Sequence, residues 1–242
     1  MAYVEVQDAT GGIRVGSAFH VGEGVFVTAR QVVENGNVLE VGSTEASYVP
    51  VDELDESSTF VVVNGVKQPV HEVRNNVMTL QCGPYFHPDD AVDVAVFRVK
   101  KIDPLTPVIP LGGHLDDWLG ESDFVLTEAV ILGYPPIPKA KRASLIGTHA
   151  EVNAMIDRCD TPHVHFVLSA MARGDFSGGP VLSVGEYGYA LGMVTSLTAP
   201  GSHPAELGYM AAIGVEPLYA CLAEHMLLPD CQADGWDDLW NT

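Results

Sequence analysis

The sequence predicts an all-β protein built from two β-rich halves, with a short C-terminal helix. Three observations favour this fold class. Short runs rich in β-branched residues, such as GVFVTA, DVAVFRV and GPVLSV, recur along the whole chain. Glycine (24) and proline (16) punctuate these runs and supply the turns that many short strands need. Long helical patterns are nearly absent, and the spacing of the runs is that of a sandwich or a barrel.

The predicted elements fall into three segments. The first half covers residues 1–104, with hairpin turns indicated at Gly22-Glu23-Gly24 and within NGVKQP. A connection rich in Pro, Gly and Asp follows over 105–121. The second half covers 122–242: its strands extend to about residue 222, and it ends with a closing helix in EPLYACLAEHMLL and an acidic tail.

The charge of the chain argues against two classes of partner. Its 242 residues carry 12 Lys and Arg against 32 Asp and Glu, a formal net charge of −20. Nucleic acids and anionic membrane surfaces both require a positive face, so neither is an expected partner. The N-terminal MAYVEVQDATGG has neither the basic nor the apolar region of a targeting segment, and no run of about 18 apolar residues occurs.

The cysteines predict a reducing compartment. All four are widely spaced and none forms a CxxC pair, which indicates reduced thiols in a cytoplasmic protein. Their even number leaves disulfides open. Zinc ligand spacing is not present, and the sequence predicts neither a metal nor a cofactor. It does not indicate an oligomeric state.

Three stretches carry the candidate chemistry. In TARQVV, the long polar residue Gln31 follows an apolar strand. In VDVAVFRV, Asp93 opens an otherwise apolar strand. In ARGDFSGGPVL, Ser177 precedes two glycines, a setting in which main-chain N–H groups can converge on a developing oxyanion. Each signal is weak alone, but their order within two β-rich halves is a strong combination.

These stretches resemble the trypsin-like, chymotrypsin-fold serine peptidases, in particular their compact bacterial branch. The resemblance covers nearly the whole chain: GSAFHVGEGVFVTARQVV, DVAVFRV, FSGGPVL, LGMVTSL and GYMAAIGVEPLYACL each look like a segment of that family. It implies two antiparallel six-stranded β-barrels with an active site in the cleft between them. It also implies a peptide or protein substrate, with Ser177 as nucleophile and Asp93 as the acid that orients the base.

The position of the catalytic histidine is occupied by Gln31. The general base must accept the serine proton and return it to the leaving group, which an imidazole does with a pKa near neutrality. A carboxamide does not titrate in this range. Gln31 can still hydrogen-bond Asp93 and Ser177, so we expect the geometry to survive while proton transfer fails. Loss of a triad histidine costs a factor of about 10⁶ in turnover in one well-studied protease.

The predicted oxyanion hole departs from the family as well. It would be formed by the main chain of Asp175, Phe176 and Ser177, but the family normally has glycine two residues before the serine. A side chain at Asp175 restricts the backbone, and its carboxylate would oppose the charge of a tetrahedral intermediate. A second alignment treats Gly174-Asp175 as the usual Gly-Asp pair and Phe176 as an insertion. Phe176 also replaces the aspartate with which animal trypsins bind a freed N-terminus.

The substrate-binding residues follow from the same resemblance. The pocket wall is predicted from about Ser169 to Asp175, facing 194–197, with Met171 at the specificity position. Large apolar side chains at Met171 and Leu197 predict a shallow apolar pocket. The substrate-binding prediction therefore comprises Met171, Val194, Thr195, Ser196 and Leu197.

The remaining histidines have simpler interpretations. We predict that His20 is a hydrogen-bonded residue inside the first barrel, not a substitute base. His163 and His165 alternate on one strand face, a spacing that can bind metal, but no acidic partner is evident nearby. The tail DGWDDLWNT is expected to lay its indole rings on the protein surface.

Two functions remain open at this point. The chain is either an endopeptidase silenced at Gln31 or a pseudoprotease that binds peptides or proteins through the inter-barrel cleft. The altered Asp175 favours the second, and the intact Asp93 and SGGP favour the first. A β-scaffold unrelated to peptidases is disfavoured by the combination of motifs.

Overall fold

The computed structural model describes most of the chain. The described residues are 1–44, 60–63, 65–69, 76–103, 105–113, 125–140, 142–159, 161–170, 176–185, 188–195 and 209–240. Side chains are described for all of these ranges except 60–63, 67–69 and 237–240. Met171, Asp175, Ser196 and Leu197 from the predicted site lie outside them.

The first half is a curled seven-stranded antiparallel sheet. Its strands pair in the order β7-β4-β1-β2-β3-β9-β8. Their bounds are β1 Ala2–Asp8, β2 Ile13–Gly22, β3 Val25–Thr28, β4 Gly36–Ser43, β7 Asn76–Met78, β8 Leu80–Phe86 and β9 Ala95–Val99.

The two edges of this sheet are joined by the chain itself. β7 forms one edge and β8 the other, yet only Thr79 separates them in sequence. The sheet must therefore bend back on itself until its edges meet at Thr79. If β7 and β8 are counted as one bent strand, the sheet has the six strands expected of the first barrel. Its two edges are not paired with each other by hydrogen bonds over the described residues.

The second half is a closed six-stranded antiparallel barrel, as the family resemblance predicts. Its order is β10-β11-β12-β15-β14-β13, with β13 pairing back onto β10. The strands are β10 Glu128–Gly133, β11 Ile146–Arg158, β12 Thr161–Leu168, β13 Pro180–Ser183, β14 Ala190–Thr195 and β15 Met210–Gly214. A separate two-stranded ribbon, β5 Phe60–Val63 and β6 Val66–Pro69, contains the hairpin predicted in NGVKQP.

Helices are short and cluster at two places. α1, Arg30–Val33, is a single turn after β3. α2, Glu216–Glu224, begins with Pro217 in its first turn and matches the predicted closing helix. A second helix, α3 Ala233–Trp240, follows a 3₁₀ turn at Asp230–Gln232 in the tail. None of the helices in these described ranges is both long and apolar enough to span a bilayer.

The C-terminal segment packs on the first half of the protein. Leu218, Tyr219 and Leu222 of α2 belong to the same buried cluster as the side chains of β2, β3 and β9. The buried Gln232 side chain donates to the carbonyls of Val21 and Ile109 and accepts from the N–H of Leu111. The C-terminal segment is therefore held on the first sheet by apolar packing and by the hydrogen bonds of Gln232. The boundaries at 104 and 122 stay predictions.

Candidate active site

Gln31 is placed by the packing of α1 on β2. Gly16 of β2 faces Val32, and a Cβ at that glycine would come within 2.6 Å of a Val32 methyl group. The absence of a side chain at Gly16 therefore lets α1 approach the strand directly. Val32 and Val33 are buried, and Gln31 is left half-buried at the start of the turn.

Asp93 is fixed at the entry to β9. Its neighbours Val92 and Val94 are buried, which leaves the carboxylate between them at the edge of the site. Oδ1 accepts a hydrogen bond from the main-chain N–H of Gln31 at 2.8 Å. Oδ2 accepts from the Thr195 hydroxyl at 2.5 Å, a contact with β14 of the second half. Such hydrogen bonds to a charged group are among the stronger ones in proteins.

Ser177 lies in a tight loop between the two halves. Gly178 has φ +82°, a conformation that L side chains rarely adopt, and a Cβ there would overlap the Ser17 carbonyl. A Cβ at Gly179 would overlap the carbonyl of Leu132 from β10. The two glycines are thus required because strands from both halves press against this loop. Phe176 anchors it by burying its ring in the second core.

The structure brings Gln31, Asp93 and Ser177 together. The Gln31 Nε2 donates to Ser177 Oγ at 3.0 Å, while the main chain of the same residue contacts Asp93. The three residues come from both halves of the chain and are linked by hydrogen bonds through residue 31. Their chemical roles remain predictions.

Ser17 is a connecting residue that the sequence analysis missed. Its N–H donates to the Ser177 carbonyl at 3.0 Å, and its hydroxyl accepts from the N–H of Tyr134 at 2.9 Å. The Thr28 hydroxyl donates to the Ser17 carbonyl. This buried serine thus ties β2 to β3, to the nucleophile loop and to the end of β10. The signal that could have identified it is a small polar residue amid apolar ones in GSAFHV.

A small cavity adjoins the serine. Its volume is about 100 Å³, and its lining comprises Arg14, Val15, Gly16, Gln31, Val32 and Ser177. The Arg14 guanidinium donates to the carbonyls of Gln31 and Glu34, both at 3.3 Å. Arg14 is therefore beside the site, although nothing in the sequence motif singled it out.

The predicted substrate-binding strand makes other contacts over its described part. Val194 is buried, and its N–H and carbonyl bond Gly179 and Gly178 of the nucleophile loop. The side chain of Thr195 is buried against Asp93. Val194 therefore supports the nucleophile loop, and Thr195 supports Asp93. Peptide binding by this strand thus remains a prediction that depends on Ser196 and Leu197, which lie outside the described residues. The specificity pocket also remains a prediction, because Met171 lies outside them too.

The predicted oxyanion hole is described only in part. Ser177 and Phe176 are placed, and Asp175 lies outside the described residues. The contribution of its main chain, and the choice between the two alignments of this loop, therefore stay predictions.

The other histidines are engaged elsewhere. His20 is buried: its Nδ1 bonds the Pro107 carbonyl, and its Nε2 accepts from the N–H of Gly24. Burial lowers the pKa of His20, which favours the neutral form of the ring. His165 is buried with Nδ1 on the carbonyl of His163, whose ring meets that of His87 edge-on. No group of three or more potential metal ligands occurs in the part of the chain described.

Comparisons with known proteins agree with this architecture. Similar solved structures include a protease from M. tuberculosis, Rv3671c, in its active form, with 17% identity, a TM-score of 0.55, and coverage of 92% of this chain and 78% of that one. The HtrA-type protease AlgW with a tripeptide has 16% identity and a TM-score of 0.55 over 93% of this chain and 59% of that one. A structure named GrC has 14% identity and a TM-score of 0.57 over 93% and 92%. At these identities the likeness concerns the fold.

The comparison with family models identifies the family. Curated protein sequences give no significant match. The model of the trypsin-like peptidase domain, however, matches residues 16–193, well over half of the chain, including Gln31, Asp93 and Ser177. The chain belongs to the trypsin-like peptidase family.

Proposed function

We propose that this protein binds peptides or protein segments in the cleft around Ser177 and hydrolyses them little or not at all. One observation carries the proposal: the partner of Ser177 Oγ is the side-chain amide of Gln31, at 3.0 Å. In this arrangement the amide is the donor and the serine oxygen is the acceptor. A catalytic base would have the opposite relation to the hydroxyl.

Rotating the Gln31 amide does not restore a base. Its Oε1 would then accept a hydrogen bond from the hydroxyl, but an amide oxygen does not take up the proton near neutral pH. The step that generates the nucleophile and later protonates the leaving group is therefore blocked in either orientation. The expected loss, by the example of another protease, is about 10⁶ in turnover.

The other parts of the site support a framework that has lost one component. Asp93 is held by the main chain of residue 31 and by Thr195, so its position does not rely on an imidazole. The glycines of the nucleophile loop are enforced by packing from both halves. The endopeptidase role therefore remains the alternative function, with Gln31 as the residue that silences it. We also propose a cytoplasmic location, which suits the four free cysteines.

A fluorophosphonate probe, which reacts with activated serines, tests the proposal. We expect no labelling of the natural chain, labelling of Gln31→His, and none of Gln31→His/Ser177→Ala. Labelling and peptide cleavage by the natural chain at rates near those of Gln31→His would overturn the assignment of Gln31 as the blocking residue. If Gln31→His also fails to label, the altered loop at Asp175 has removed the oxyanion hole, and only the binding role stands.

Peptide binding itself needs a separate measurement. The proposal predicts that the natural chain retains peptides from a mixed library and that mass spectrometry finds them uncut after prolonged incubation. Recovery of the same peptides as two fragments would contradict the binding-module function. Failure to retain any peptide would overturn it as well.

A further inference from the structure

We propose that Arg14 forms a carboxylate-binding subsite beside Ser177, on the side of the site where the segment after the scissile bond would lie. The inference rests on the proposed function, since it assumes that a peptide occupies the cleft. The ligand chemistry is a carboxylate, from an Asp or Glu side chain or from the C-terminus of a bound peptide.

The position of Arg14 follows from the strand that carries it. Arg14 and Gly16 alternate along β2, so they share one face of the strand, the face on which α1 packs. The guanidinium bonds the Gln31 carbonyl, while the side chain of Gln31 bonds Ser177. Only one residue therefore separates the cation from the serine, and all three line the same small cavity.

Arg14 forms no ion pair within the described residues. Arg30 forms ion pairs with Glu34 and Asp90, and Arg98 pairs with Glu23. Arg14 is exposed, and its hydrogen-bond partners in the described part of the chain are two main-chain carbonyls. These two carbonyls engage part of a fork that carries five N–H donors.

One carboxylate near Arg14 is already engaged. Asp8 interacts electrostatically with Arg14, but its pKa is lowered first by the hydrogen bond from the Thr10 side chain, and then by those from the main chain of Gly12 and Thr10. Its Oδ1 accepts all three of these bonds. Asp8 is therefore held by its own turn, and an incoming carboxylate would not have to displace an ion pair from Arg14.

The side of the scissile bond follows from the chemistry of the site. A catalytic base returns its proton to the leaving group, so the group at the base position faces that side of the substrate. Gln31 holds the base position and lines the cavity with Arg14. The cavity lining includes no residue of β14, the strand that is predicted to bind the substrate. A carboxylate in this cavity would thus belong to the residues that follow the scissile bond.

The test uses the natural chain and peptide pools. Hexapeptides blocked at both ends carry Glu or Gln at one fixed position and random residues elsewhere, and retention on the immobilised protein is measured for each pair. We expect one position to favour Glu over Gln by about threefold to fivefold, the upper part of the range for an exposed ion pair. The preference should shrink as salt is raised to about 0.5 M. A further pair of pools, with a free or amidated C-terminus, distinguishes a side-chain carboxylate from a terminal one.

Three variants separate charge from structure. Arg14→Met should bring the Glu-to-Gln ratio, or the ratio of free to amidated peptides, to about one. Arg14→Lys keeps the charge but loses the fork to the two carbonyls, and it should retain most of the preference. Lys101→Met is the matched control, since it removes an exposed cation that does not line this cavity and should leave both ratios unchanged.

The outcomes distinguish this inference from the proposed function. If pools are retained without any carboxylate preference, or if Arg14→Met and Lys101→Met reduce it equally, the subsite is refuted and the peptide-binding function stands. If no pool is retained, both fall. A preference lost in Arg14→Met and kept in Arg14→Lys and Lys101→Met establishes the subsite.

Discussion

Asp93 and Ser177 both contact Gln31, but the two contacts differ in kind. Asp93 receives the main-chain N–H of residue 31, whereas Ser177 receives its side-chain amide. The first contact is available to every residue except proline at this position, and the second depends on the side chain. The hydrogen bond to Asp93 is therefore independent of the side chain at residue 31, whereas the hydrogen bond to Ser177 Oγ depends on it.

This difference explains how a missing histidine is compatible with intact geometry. Asp93 has a second anchor in Thr195, and Ser177 is located by a loop whose glycines are packed between two halves. Neither anchor involves the Gln31 side chain. A base could be lost, or returned, at residue 31 without rebuilding the site.

The largest effect that tests this comparison is on Asp93 in the restored background. In Gln31→His, Asp93→Asn should lower kcat by about 10⁴, because an amide no longer orients and stabilises the imidazolium. Hydrolysis of a peptide ester measures it, with Asp90→Asn as the matched control, since that carboxylate is exposed and pairs with Arg30. A loss below tenfold for Asp93→Asn would show that the acid does not act on residue 31.

The next effect concerns the anchor of the nucleophile. Gly178→Ala should lower the free energy of unfolding by about 3 to 4 kcal/mol, from the strained φ of +82° and overlap with Ser17 and Thr28. Gly11→Ala is a matched control: its φ is +85°, but no atom lies within 4 Å of an added Cβ. That variant should lose only about 1 to 2 kcal/mol. Urea unfolding measures both, and equal losses would mean that packing does not shape this loop.

A smaller effect tests the second anchor of Asp93. Thr195→Val keeps the shape of the side chain but removes the hydroxyl that bonds Oδ2. We expect the free energy of unfolding to fall by about 2 kcal/mol, the value of a hydrogen bond to a charged group. Thr195→Ser keeps the hydroxyl and should lose much less. Denaturant titrations that rank the two variants equally would remove Thr195 from the site framework.

The sequence predicted this site better through its local motifs than through its long-range contacts. The β-branched runs predict the strands, and the order of Gln31, Asp93 and Ser177 in family-like segments predicts that they meet. The partnership of Thr195 with Asp93 was not predicted, because it depends on which face of β14 meets the other half. The sheet edges joined at Thr79 and the hydrogen bonds of Gln232 were missed for the same reason. Tertiary packing determines how a strand bends and where the C-terminal segment contacts the first half.

His20 offers the smallest effect and the opposite case to Gln31, an imidazole that the structure retains without using it as a base. Burial lowers its pKa below the ordinary value of about 6.5 that it has in the unfolded chain. The contribution of the neutral His20 to the free energy of unfolding is therefore fully present above pH 6.5. It is lost as the pH falls further, because the unfolded chain binds a proton that the folded chain resists. One proton limits the slope to about 1.4 kcal/mol per pH unit.

His20→Gln is a non-titrating replacement, since its amide can donate to Pro107 and accept from Gly24. Burial also lowers the pKa of His87, but this residue is present in both the natural chain and the His20→Gln variant, so its contribution cancels in their difference. The difference in unfolding free energy between the natural chain and His20→Gln, measured from pH 8 to pH 5, should therefore favour the natural chain less and less below pH 6.5. A difference that stays flat would mean that His20 titrates equally in the folded and unfolded states, and that its imidazole is more accessible than the contacts with Pro107 and Gly24 imply.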